Sequence, residues 1–458
     1  MALGSIGAMA SAASKTEITV YGAGFGLVKE RRSLYLRVGE QTIALEDVSD
    51  QIDANTVSAR SVHQPGTFSI VEQTFRHEQV SPENMLQRSI GRKAVLTRVL
   101  GEKARERTSG LILSAPYAVS SAAESGPTWL GLVFKSDDGR FILSPTGQLE
   151  LSQLPKNFYA KPTLLWEVSS TVSGENEIEL SYVTHGLKWR AGYALWLDPT
   201  DGTGELKGWI TIENQSGLHY HDALIRVTDG KGSAPTSSPD TTNQELGLPD
   251  LDVPETHTYT LQRPASLRGG ETKQLLYTES QSIEITRRLV LDPLAKFKGL
   301  RPSERPVGVG TLHPLVLYSF QNDHANQLAV PLPSGPVQVF RRGNGSVAQV
   351  LGEDHIDHIP VHGNVTLIAG HAEHVTLVRH RVGYEADADT AREQFEIIFT
   401  NDGDEEETVH LVERNWQAGD VSDENHPYTA IDAHAILFVV TIPPRGQVTV
   451  NYTLTSPV

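Results

Sequence analysis

The chain contains no cysteine. That excludes a disulfide framework, a thiolate nucleophile, an iron–sulfur cluster and cysteine-ligated zinc. It does not fix the compartment, since oxidising and reducing spaces both tolerate a cysteine-free chain. Positive charge is also short: 39 Lys+Arg against 56 Asp+Glu leave a formal net charge of -17. A sequence-independent grip on phosphate backbones needs a basic surface, so no nucleic-acid partner is expected. The same deficit argues against docking on anionic lipid. Long apolar runs are missing. The longest is "AHAILFVVTI" at 433–442, broken by His434. A membrane helix needs about 20 apolar residues, so no transmembrane segment is expected. "HEXXH" and G-x-S-x-G are absent too.

What is present is strand texture. The 458 residues suffice for about three domains. Hydrophobic residues at 38% and charged residues at 21% are enough to bury cores. Period-two alternation recurs throughout, and helix-period stretches are rare. "SPENMLQRSIG" (81–91) reads as the one short helix, with Ser81 as cap, Pro82 at its first position and Glu83 in its first turn. The pattern predicts an all-β protein: a β-rich N-terminal domain at 16–158, with a small SH3-like barrel after the helix, then two immunoglobulin-like sandwiches. These would occupy 159–345 and 346–458. Residues 1–15 read as a trimmed signal peptide or a cloning remnant, because "AMA" precedes Ser11 but no Lys or Arg precedes it. Residues 230–256, rich in Ser, Thr, Pro, Asp and Gly, read as a mobile excursion. A faint echo links 209–227 to 396–414: each is a strand, an Asn at a turn, a polar tip and a returning strand.

Six stretches carry a family resemblance: "VYGAGFGLVKERRSL", "SYVTHGLKWRAGYAL", "GWITIENQSG", "YTLQRPASLRGGETKQL", "LPSGPVQVFRR" and "GEDHIDHIP". In this order, from about residue 17 to the C-terminus, the chain resembles the bacterial domain-of-unknown-function 4139 family, related to the mucoidy-inhibitor-like proteins. The resemblance implies an all-β, often exported protein without an assigned reaction, hence a periplasmic or extracellular location, with the cytoplasm left open. His358, in "IDHIP", belongs to the shared pattern, whereas His219, His221, His362, His371 and His374 have no counterpart in it.

Those histidines are the candidates for metal chemistry. Residues 352–374 hold His355, His358, His362, His371 and His374 among Glu353, Asp354, Asp357 and Glu373. Zinc requires three or four converging ligands at about 2.0–2.2 Å. His358 and His362 lie across a proline and a turn. His371 and His374 differ by three and face opposite sides of a regular strand. If "GNVTLIAG" and "EHVTLVRH" form a hairpin, His371 and His374 lie at its tip and His362 at its far end. Polar surface is therefore the favoured reading of the cluster. His219 and His221 flank Tyr220 with the two-residue spacing of a two-tooth ligand set, but no third ligand is evident. No cofactor is expected, and a divalent transition metal stays as the alternative.

"GAGFG" (22–26) is followed by strand-like alternation, so a glycine turn is favoured over a dinucleotide loop. "NDGDEEE" (401–407) lacks EF-hand spacing and reads as an acidic hairpin tip. Trp189, Arg190, Trp196 and Trp209 sit in the middle region. Core filling is the default for the tryptophans, and a sugar-stacking platform the alternative. The expected function is non-catalytic binding or scaffolding in the cell envelope or outside it, with a protein or envelope-glycan partner. Self-association through edge strands remains open. The alternatives are a metal-dependent hydrolase using sandwich-edge histidines and a carbohydrate-binding protein.

Overall fold

The computed structural model describes residues 8–9, 15–78, 80–99, 105–122, 126–153, 155, 158–229, 256–297, 303, 305–343, 348–415 and 419–457. The expected leader (1–15) and excursion (230–256) lie almost wholly outside them. The protein is all-β, and Pro82–Gln87 is the one α-helix among the described residues. Its start follows from the sequence. The Ser81 hydroxyl accepts the Asn84 N–H, Pro82 opens the first turn, and Glu83 sits at the positive end of the helix. No helix among the described residues is long and apolar enough to cross a membrane.

The chain builds two compact units, Met1–Lys188 with Glu213–Glu271 and Trp189–Ile212 with Thr272–Val458. In the first, Lys15–Tyr21 and Phe25–Leu36 form a hairpin whose tight turn holds Gly24 at φ 92°. A side chain on Gly26 would meet Leu187 at 2.4 Å. "GAGFG" is thus a strand-to-strand turn with no helix behind it; the positive φ at Gly24 favours glycine, and Gly26 lies close against the Leu187 side chain. Phe25–Leu36 pairs along its whole length with Gly174–His185, and Lys15–Tyr21 pairs in parallel with Tyr220–Thr228. Lys93–Val99, Arg105–Ser114, Val133–Ser136, Phe141–Leu143 and Gln148–Glu150 form a separate five-stranded sheet. Leu86 of the helix joins its core with Leu96, Ile112, Trp129 and Phe134.

Among the described residues the second unit has three sheets. One is six-stranded, running from Asn364–His371 to Tyr428–Asp432, and two are five-stranded, one running from Gly310–Leu312 to Asp420–Ser422 and the other from Glu271–Glu284 to Ala348–Ile356. One apolar cluster draws on all three sheets, including Leu195, Val339, Leu289, Leu411, Leu377 and Phe399.

Two expectations require correction. The divisions at 158/159 and 345/346 do not separate folding units, because strands pair across both. Phe25–Leu36 binds Gly174–His185, Thr286–Leu291 binds Glu407–Arg414 in parallel, and Gly335–Arg342 binds Ala348–Ile356. Such partners are distant in sequence or separated by a local Gly-rich break, and composition along the chain does not reveal them. Nor do 364–371 and 375–386 form a hairpin. Asn364–His371 pairs with Leu315–Gln321 in one sheet, and Val375–Ala386 pairs with Thr390–Asn401 in another. Val365, Leu367, Val375 and Leu377 enter the same core from the two sheets. Burying both apolar faces wins over the shorter local pairing.

The echo between 209–227 and 396–414 has a structural counterpart. Asn214 and Asn401 are both fully buried. The Nδ2 of each donates at 2.8 Å to the carbonyl four residues on, that of Leu218 or Glu405. Each also reaches a carbonyl at the end of a distant strand, Leu267 or Ile442. Each Oδ1 accepts the N–H two residues on, that of Ser216 or Gly403. One side chain thereby closes the turn and ties it to the sheet. Its amide is consumed, so the Asn214 sequon offers no free group for a glycan.

Candidate functional site

The most built polar site begins with the phase of one strand. From Gly26 onward in Phe25–Leu36 the buried positions are even-numbered, among them Val28, Glu30, Arg32, Leu34 and Leu36. Lys29, Arg31 and Ser33 take the other face. Two charged residues therefore sit in register with the core, and each side chain is only 3% exposed. Arg32 addresses a single carboxylate oxygen of Glu30, Oε1, through Nε at 2.9 Å and Nη2 at 2.7 Å. Its remaining donors bind the Glu46 carbonyl at 2.5 Å and the Asp47 carbonyl at 2.6 Å. Asp47 holds φ 56°. Four of the five guanidinium N–H groups are thus used by the protein. No hydrogen bond to Oε2 of Glu30 occurs among the described residues.

Glu30 and Arg32 line a cavity of about 420 Å³. Thr16, opposite Glu30 in the sheet register, lies beside them. Val48, Pro162, Leu218 and Tyr220 give apolar wall, and Asp47, Lys161, His219 and His221 add polar groups. Lys161 is held by Asp47 at 3.2 Å. Behind the cavity runs a polar core. The Tyr220 hydroxyl bonds Ser216 Oγ at 3.1 Å, Ser216 Oγ donates to Asn214 Oδ1 at 2.7 Å, and Ser49 Oγ lies 2.5 Å from Thr184 Oγ1. The buried Tyr182 hydroxyl adjoins the Ser49 backbone and the Tyr220 hydroxyl, and it feels the charge of Glu30. Burial drives the pKa values of Tyr182 and Tyr220 upward, so both stay protonated donors.

Burial likewise raises the pKa of Glu30 above the ordinary glutamate value, against the opposing pull of Arg32. The sign for stability follows from proton counting. Between the unfolded and the raised folded pKa, the folded state holds more protons, so stability falls as pH rises through that window. Glu30→Gln has no proton to lose. Its stability–pH curve, measured by urea unfolding, is expected to lack that decline from about pH 4.5 upward. Parallel curves for the two proteins would refute this electrostatic reading.

His219 and His221 are exposed on either side of buried Tyr220, their ring centroids 6.5 Å apart. The strand is interrupted by a bulge between Tyr220 and Ala223, and Asp222 adopts φ 46° there. The other candidate histidines are scattered in the second unit. His355 meets Ser334 at 2.9 Å, exposed His371 meets the His313 carbonyl at 3.2 Å, and half-buried His374 meets Glu407 at 2.8 Å. His362 is exposed in a turn at φ 67°, and His358 is half-buried. Among the described residues no three His, Asp or Glu side chains gather as metal ligands. The tryptophans are placed separately too. Trp189 packs against the core of the second unit, with Arg190 exposed beside it. Trp196 stacks on Phe340 at 4.4 Å, which covers one face of the ring, and Trp209 is half-buried. Glu30 and Arg32 were absent from the sequence-level candidates. Their signal was their even spacing with Val28 and Leu34 inside "VKERRSL".

The chain matches no protein-family model, and no curated protein matches it.

Proposed function

We propose that this is a non-catalytic binding protein of the bacterial cell envelope or the extracellular space, a member of the family its ordered motifs resemble. Its ligand site is the Glu30–Arg32 cavity. The observation that carries this reading is a buried carboxylate lining a cavity, with one oxygen spent on Arg32 and the other unused by the protein. Burying an ion pair is costly, and an apolar pair of the same size would fill a core at least as well. Retention of a half-used pair beside a cavity fits a group kept for something that enters. Cavities of about 300–1,000 Å³ with a few polar groups suit small ligands.

Two strong charge pairs elsewhere use both carboxylate oxygens, whereas Arg414 binds Oδ2 of Asp292 at 2.7 Å and leaves Oδ1 buried without a partner among the described residues. Arg379 takes both oxygens of Glu413, each at 2.9 Å, and Arg287 takes both oxygens of Glu407 at 2.9 and 3.2 Å.

The test is a thermal-shift screen of the intact chain against a library of small envelope and periplasmic solutes. A binder at about 100 times its Kd is expected to add roughly 2.7 kcal/mol of stability. The gain should shrink in Glu30→Gln. A screen in which no compound raises the melting temperature would overturn the assignment of the cavity.

A further inference from the structure

We infer that the ligand of this cavity is a neutral, hydroxyl-rich molecule of the size of one or two sugar rings; this rests on the binding reading above. The first argument is charge. The charged lining groups are Glu30, Arg32, Asp47 and Lys161, two of each sign, and each is matched within the site. An anion entering would meet the Glu30 carboxylate with at most one Arg32 N–H to receive it, because the other four go to Glu30 and to two backbone carbonyls, and the charge of Arg32 is already matched by Glu30. A cation would meet the same carboxylate with a fixed positive charge already 2.7 Å away. Burial compounds both penalties, since an unmatched charge is least tolerated where water is excluded. A neutral ligand meets neither.

The second argument is the kind of hydrogen bonding on offer. A carboxylate oxygen accepts only, a threonine hydroxyl both donates and accepts, and neutral imidazoles do one at each nitrogen. Glu30, Thr16, His219 and His221 therefore present a mixed set around one space. Neighbouring hydroxyls on a ring, each both donor and acceptor, match such a set. Val48, Pro162 and Leu218 supply apolar wall for the C–H face of the ring. The volume of about 420 Å³ leaves room for more than one ring. The same chemistry is offered by a free sugar and by the end of a glycan chain.

The experiment is saturation-transfer NMR with titration calorimetry on the intact chain. The neutral probes are glucose, galactose, N-acetylglucosamine and their disaccharides. The charged probes are ethanolamine and inorganic phosphate, and a glycan array supplies chain ends. Saturable binding of at least one neutral probe is expected, weakened about tenfold to a hundredfold in Glu30→Gln, as for loss of a hydrogen bond to a charged group. Thr16→Val should weaken it less. If Glu30→Gln does not fold, Thr16→Val and His221→Ala carry the comparison. Array signal without free-sugar binding assigns the chain end; free-sugar binding alone assigns the soluble sugar. Ethanolamine or phosphate binding that Glu30→Gln abolishes would keep the cavity and overturn the ligand class. Sugar binding untouched by all three variants, or none at all, overturns the proposal. The thermal-shift screen distinguishes that outcome from a cavity that binds nothing.

Discussion

Arg379→Met is expected to lower the unfolding free energy by about 3–5 kcal/mol, the range for removing one partner of a buried ion pair. Arg379 is 1% exposed. It grips both carboxylate oxygens of Glu413, reaches the Tyr452 hydroxyl at 3.3 Å and the carbonyls of Val307 and Gly308, and lies 3.9 Å from the Phe395 ring centroid. Methionine fills part of the volume but leaves Glu413 buried without a counter-charge. The loss should therefore exceed that from a cavity alone. Glu413→Leu in the same background is expected to recover much of it, because two apolar residues remove the desolvation cost altogether. Urea unfolding of the two single variants and the double variant measures the coupling. A loss under about 1 kcal/mol in Arg379→Met, or simple additivity of the two changes, would show that the pair contributes little.

Asn401→Ala is expected to cost about 3 kcal/mol. The substitution strips hydrogen bonds from the carbonyls of Glu405, Ile442 and Pro443 and frees the Gly403 N–H. A buried polar group left unpaired costs roughly 1–3 kcal/mol, and local relaxation keeps such losses from adding fully. Asn401→Asp should be at least as harmful above the carboxyl pKa, because it sets negative oxygens against three carbonyls. Asn214→Ala, in the equivalent turn, should behave alike. Exposed Asn451→Ala is the control, expected within about 0.5 kcal/mol of the parent. If Asn401→Ala matched that control, the turn would be held by its backbone, and the shared arrangement at 214 and 401 would be incidental.

Strand phase alone marks these buried charges in the sequence. In "HVTLVRH", Arg379 falls in phase with Val375 and Leu377. In "TVHLVER", Glu413 falls in phase with Val409 and Leu411. "VKERRSL" does the same with Glu30 and Arg32. Period-two alternation that correctly marks strands also marks these charges as inward, so burial was legible at each one. What alternation cannot say is which inward charge faces which. Glu30 and Arg32 are two residues apart, but Arg379 and Glu413 are separated by 34 positions and come from different sheets. The candidate site has the same split. His219, Tyr220 and His221 are adjacent, and the outward histidines around an inward tyrosine follow from local geometry. Their position beside Glu30 depends on Lys15–Tyr21 lying between the two strands.

The sequence by itself determined the strand class, the capped helix at 82–87, the glycine turn at 22–26 and the absence of thiol chemistry. Each of these depends on residues within a few positions of one another, whose steric and hydrogen-bonding preferences act locally. Tertiary structure alone decided which strands share a sheet, that 364–371 and 375–386 part company, and that a half-used carboxylate lines a cavity. Those outcomes depend on burying apolar faces and matching charges between segments distant in sequence, and no local pattern encodes the partner.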